Sequence, residues 1–134
     1  MAEMPCPSAR LNPLEGMARG EGKMGEAEIL DRLFRVIEAR HRERPAGSYV
    51  TELLEGGLDA IAAKVREEAE ETLEAAASGD GEHTAREVAD LLFHVWVLLA
   101  ATGLKPDDVY AVLDQRFGQG GLEEKAARGG TDAG

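Results

Sequence analysis

KVREEAEETLEAA, residues 64–76, reads as a helix, since glutamate is a good helix former, yet it sets five glutamates within little more than two turns. Wound at about 100° per residue from Val65, the positions Leu58, Ile61, Ala62, Val65, Ala69, Thr72 and Ala76 fall within about 60° of one direction and predict a buried stripe. Glu67, Glu70 and Glu74 fall opposite, toward water, as a solvated charged face does. Glu68 and Glu71 do neither: they lie about 60° and 120° to one side, where the helix meets a neighbour. Their i, i+3 spacing puts two carboxylates about 5–6 Å apart at Cβ, an unfavourable arrangement unless something relieves it.

Working outward, the turn SGDGE (78–82) is short and favours an antiparallel partner, a fourth helical segment over about Glu82 to Ala101. That partner contains EVADLLFHVWVLLA (87–100), apolar on nearly every side, so it is expected to be buried within the bundle or against another subunit. Upstream, a helix from about Gly25 to Glu43 carries the stripe Ile29, Leu30, Leu33, Phe34, Val36 and Ile37 and ends at Pro45 and Gly47. TELLEG (51–56) forms a short turn of helix closed by Gly56 and Gly57, and the third helix runs from about Leu58 to Ala77. LKPDD (104–108) opens a fifth, with Val109, Val112, Leu113 and Phe117 as its inner face. No alternating β run is present, and the fold class is all-α: a small bundle of four to five helices. Residues 1–24 and 129–134 read as flexible extensions flanking a domain over 25–128.

Asp90 is the unexpected residue of the fourth helix, because an ionised aspartate in such surroundings needs a partner, a hydrogen bond or a metal. Helical projection puts Glu87, Asp90 and His94 on one stripe, and Glu87 and Asp90 repeat the spacing of Glu68 and Glu71. If the two helices pack antiparallel, four carboxylates converge. At about 5 Å and an effective dielectric of about 20, each ionised pair repels by roughly 3 kcal/mol. Raised pKa values, salt bridges to Lys64 or Arg86, or a hard cation can relieve that. An all-oxygen set suits Mg²⁺ or Mn²⁺ better than zinc and implies a phosphate ester or anhydride as substrate. Plainer readings stand beside this one. Thr84 and Glu87 fit a capping box, Glu68 fits an i, i+4 pair with Lys64, and Asp90 can pair with His94 or an arginine. His94 is read as a satisfied partner or an interface residue, Trp96 as core or subunit contact, and Cys6 as inert.

At 134 residues the length is that of one domain, and 43% hydrophobic with 31% charged residues describes an ordinary globular chain. A net charge of −11 argues against partners such as nucleic acid or an anionic membrane. A single cysteine and an N-terminus without an apolar core segment point to a cytoplasmic protein.

E-E-x-x-E at Glu67, Glu68 and Glu71 followed by E-x-x-D at Glu87 and Asp90 resembles the MazG-like all-α nucleotide pyrophosphohydrolases. The blocks SYVTELLEGGLDAIAAKVREEAEE, REVADLLFHVWVLLA and RFGQGGLEEKAARG sharpen this to a resemblance to the phosphoribosyl-ATP pyrophosphatase family over about residues 29–129. One departure is Val50, which intervenes where the family's loop reads Ser-Tyr-Thr. The resemblance implies Mg²⁺-dependent hydrolysis of phosphoribosyl-ATP to phosphoribosyl-AMP and pyrophosphate in histidine biosynthesis. It implies Glu68, Glu71, Glu87 and Asp90 as metal ligands. On the physical reading, Glu67 points more outward and is the candidate to support the ligands, hold a second ion or orient water as a base. Lys64, on the flank of Glu68 and Glu71, can reach a phosphate, and Arg116, Lys125 and Arg128 are candidates for further substrate contacts. The apolar fourth helix, hard for a small single bundle to cover, predicts at least a homodimer. Two rivals remain: a housecleaning pyrophosphohydrolase for other nucleoside triphosphates, and a noncatalytic helical interaction module.

Overall fold

A computed structural model describes residues 28–117. Among them the chain forms five helices and no strand: α1 (Glu28–Glu43), α2 (Tyr49–Glu55), α3 (Gly57–Ser78), α4 (Gly81–Ala101) and α5 (Pro106–Phe117). The expected all-α architecture is the one adopted. The expected flanking extensions, the start of the first helix near Gly25, and Cys6, Lys125 and Arg128 lie outside the described residues. Contacts divide the chain into a unit reaching Leu104, which contains α1–α4, and a unit beginning at Lys105, which contains α5.

Local chemistry sets the helix ends of the first unit. Ser48 starts α2 by accepting the Thr51 N–H on its side-chain oxygen at 3.4 Å, and Gly56 ends it by donating its N–H to the Glu52 carbonyl at 3.0 Å. Gly57 follows at φ +83°, a left-handed conformation that glycine adopts without strain, so α3 begins at once in a new direction. Gly79, also left-handed at φ +82°, closes α3. Asp80 then caps α4, accepting the His83 N–H at 3.1 Å. Only these two residues separate the long helices, which therefore fold back on each other and form the principal packing of the bundle. The capping-box alternative for Glu87 is not realised. Thr84 lies inside the first turn and donates its hydroxyl back to the Asp80 carbonyl at 2.8 Å.

The core gathers where α1 and α2 cover α4, around Phe34, Ile37, Leu53, Phe93 and Val97. Complete burial of an aliphatic side chain such as Ile37 stabilises by about 1.5–3 kcal/mol. Trp96 belongs to this core, and its indole N–H donates to the Leu30 carbonyl at 3.0 Å, fastening α1 to α4.

The buried face of α3 differs from the expected stripe. Ile61, Glu68 and Ala75 are the buried positions, spaced by two turns, whereas Leu58 and Ala76 of the expected stripe are exposed, as is Leu73 outside it. The inward direction is thus rotated by about 60° from the apolar centre, onto Glu68 itself. α3 packs chiefly against α4, with Glu68 and Glu71 turned toward Glu87 and part of its apolar side left outward. On α4, Val88 and Leu92 are likewise exposed. In the second unit, Val112, Leu113 and Phe117 are exposed rather than inward, because α5 is the sole described helix of that unit.

Candidate metal centre

Glu68 and Glu71 of α3 meet Glu87 of α4 across the seam between the long helices, with one carboxylate oxygen of each lying within 4.8 Å of the others. Glu68 is fully buried, Glu87 is 6% exposed, and Glu71 is half-buried. Three negative groups this close repel strongly, and their burial removes the water that screens them. Oε2 of Glu87 is also shut off from solvent without a hydrogen-bond partner among the described residues. A buried carboxylate oxygen left in that state is costly, and an oxygen-preferring cation is the kind of partner that satisfies it. The donor set, all carboxylate oxygen with no thiolate, fits Mg²⁺ or Mn²⁺.

Asp90 stands one turn beyond Glu87, outside that triad of oxygens but inside its field. Burial first, and then the charges of Glu68 and Glu87, raise its carboxyl from 3.8 to about 6, while Lys64 acts in the opposite sense. His94 does not neutralise it. The ring Nδ1 lies 2.7 Å from the Asp90 backbone carbonyl, which can only accept, so Nδ1 carries the proton. Burial pushes the His94 pKa down, keeping the ring neutral, and its Nε2 then accepts the Tyr49 hydroxyl at 2.8 Å.

Lys64 supplies positive charge at the edge of the cluster. Its ammonium donates to Glu67 Oε2 at 2.6 Å and lies 4.0 Å from Glu68 Oε1. Glu67 therefore sits on the exposed flank, engaged by Lys64. Arg116 lies in the last turn of α5, in the second unit.

Three residues, one on α4 and two on α2, have roles that the sequence pattern does not by itself announce. His83 Nε2 lies 3.3 Å from Glu87 Oε1, one turn back on α4; the i, i+4 spacing was the available signal. Tyr49 docks on His94 from another helix, a contact no local spacing reveals. Thr51 is 4% exposed and its hydroxyl has no hydrogen-bond partner among the described residues.

Carboxylates contributed by two neighbouring helices to one largely buried cluster define a class: all-α proteins with an inter-helix acidic centre that could hold a metal ion. A family model for phosphoribosyl-ATP pyrophosphohydrolase matches residues 30–117. The chain is 53% identical over 104 residues to a phosphoribosyl-ATP pyrophosphatase of Parvibaculum lavamentivorans, covering 78% of this chain and 95% of the relative. It is 50% identical over 101 residues to one of Methylococcus capsulatus, covering 75% and 96% respectively. The chain belongs to the phosphoribosyl-ATP pyrophosphohydrolase family, and it is an enzyme of the hydrolase class.

Proposed function

We propose that the chain hydrolyses the α,β phosphoanhydride of phosphoribosyl-ATP, releasing phosphoribosyl-AMP and pyrophosphate in histidine biosynthesis, with Mg²⁺ as its cation and the cytoplasm as its compartment. The observation that carries this reading is the convergence of Glu68, Glu71 and Glu87 within 4.8 Å in a chain of this family. Family relatives bearing the phosphoribosyl-ATP pyrophosphatase name supply the substrate.

Glu68, Glu71 and Glu87 would hold the cation, with Asp90 as the fourth carboxylate. A bound divalent ion would supply Lewis acidity toward triphosphate oxygens and lower the pKa of a coordinated water. The protein's own groups do the rest. In the balanced reaction, water adds to one phosphorus of the anhydride, the bridging P–O bond breaks, and pyrophosphate leaves. Glu67, exposed and next to Glu68 in sequence, is the candidate to orient that water or accept its proton. Lys64, shared between Glu67 and Glu68, offsets negative charge where the phosphates approach. Arg116, Lys125 and Arg128 add cationic contacts to the substrate. The active form is a homodimer, which would cover the apolar positions Leu58, Leu73, Val88 and Leu92 left exposed on α3 and α4.

Pyrophosphate release from phosphoribosyl-ATP, ATP and dUTP, compared with Mg²⁺ present, tests the assignment. Selective turnover of phosphoribosyl-ATP is expected. Comparable rates on all three would replace the reading with a broad nucleotide pyrophosphohydrolase, and no turnover with Mg²⁺ or Mn²⁺ would remove the catalytic one.

A further inference from the structure

The hydrogen bond between Tyr49 and His94 joins the first residue of α2 to the turn of α4 that bears Asp90. His94 is fixed by its own helix: its Nδ1–H reaches the Asp90 carbonyl at 2.7 Å, and its ring meets Phe93 edge-on at 5.0 Å. Tyr49 packs edge-on to that imidazole and stacks beside Phe93, with ring centroids 6.1 Å apart. The imidazole is therefore a fixed anchor and the start of α2 is the part it places. The anchor sits one turn from Asp90, on the helix that also carries Glu87. The turn so placed carries the buried Thr51 hydroxyl, whose hydrogen-bonding capacity is unfilled among the described residues.

We propose that Tyr49 and His94 form a positioning clamp that holds residues 48–51 as a substrate-facing wall of the carboxylate centre, so that breaking it weakens substrate binding and leaves cation binding unchanged. The inference rests on the proposed pyrophosphohydrolase reading. His94 touches a backbone carbonyl rather than the Asp90 carboxylate, so the clamp governs α2 and not the geometry of the acidic oxygens.

Tyr49→Phe keeps the ring and removes only the hydroxyl. It also leaves the buried Nε2 of His94 without its donor, so some loss of thermal midpoint is expected from structure alone. Combining it with His94→Leu removes both polar partners, which restores stability when the role is purely structural. The expected result in Tyr49→Phe is a KM for phosphoribosyl-ATP raised by about tenfold, the equivalent of one hydrogen bond's worth of binding. Its kcat should stay within about threefold of wild type, and its melting response to Mg²⁺ should match wild type. The double variant should recover melting temperature yet keep the raised KM. Wild-type KM in Tyr49→Phe, recovery of KM together with stability in the double variant, or a diminished Mg²⁺ response would each overturn the clamp. Failure of the wild-type chain itself to turn over phosphoribosyl-ATP would instead strike the functional reading.

Discussion

Asp90 on α4 carries a carboxyl raised to about 6, by its own burial first and then by the charge of Glu68 across the seam on α3. The two residues are thus linked: whatever neutralises Glu68 eases Asp90. A divalent cation held among the carboxylates would do so for the whole group at once, and several consequences can be measured.

Adding Mg²⁺ to protein stripped with a chelator should raise the thermal midpoint. At a hundred times its dissociation constant a ligand specific for the folded state stabilises by about 2.7 kcal/mol, on the order of 10 °C for a chain of this size. Differential scanning fluorimetry with and without millimolar Mg²⁺ reads the shift, and an unchanged midpoint would argue for a merely solvated acidic face.

Glu68→Gln should make the metal-free protein more stable and abolish the Mg²⁺ response. Glu68 is fully buried within 4.8 Å of its acidic neighbours, and neutralising it removes repulsions of about 3 kcal/mol per ionised pair at an effective dielectric of about 20. A lower midpoint in chelator would show that the carboxylate is held by favourable contacts instead.

Asp90→Asn should cut turnover by about a thousandfold or more, the scale of several kcal/mol of charge stabilisation at a metal-assisted step. The helical circular dichroism should stay intact. Retained pyrophosphate release would take Asp90 off the proposed ligand set.

The pH dependence has a definite sign. Asp90 has a folded pKa of about 6, above its ordinary 3.8, so between those values the folded chain keeps a proton that the unfolded chain has lost. Its stabilising contribution to the metal-free protein is complete below the lower value and is lost as pH rises through about 6. Melting curves in chelator from pH 4 to pH 7 should show this trend in wild type and lack it in Asp90→Asn. Protons also compete with Mg²⁺ for the same oxygen, so apparent Mg²⁺ affinity should fall as pH drops below about 6.

Leu73→Glu should weaken self-association, measured by sedimentation velocity across a range of concentrations. Leu73 is 67% exposed in the single chain and is one of the apolar positions on α3 and α4 that the proposed homodimer would cover. An unaltered dimer would move the proposed interface to another face.

Much of this architecture is readable in the letters, and what is not has identifiable physical causes. Pro45 and Gly47, then Gly56 and Gly57, then Gly79 mark the breaks between α1, α2, α3 and α4 because glycine and proline act through backbone geometry, which is local. The seat of α3 is not local. Periodicity counts apolar positions as inward and carboxylates as outward, so it puts Glu68 on a flank, whereas Glu68 lies at the centre of the buried face between Ile61 and Ala75. Its spacing from Glu71 and the oddity of Asp90 were the clues that an inward acid was at work. Tyr49 and His94 lie 45 positions apart in sequence, and nothing at either end announces the other. For Glu87, the capping motif at Thr84 was a real local signal that Asp80 won, being better placed to cap His83.

Trp96 is the chain's single tryptophan, 5% exposed and tethered through its indole to the Leu30 carbonyl. The molecule therefore carries an intrinsic optical probe at the joint between α1 and α4. Peeling α1 away would wet that indole and send its emission to the red, so one fluorescence channel distinguishes detachment of α1 from disturbance at the acidic end of the bundle.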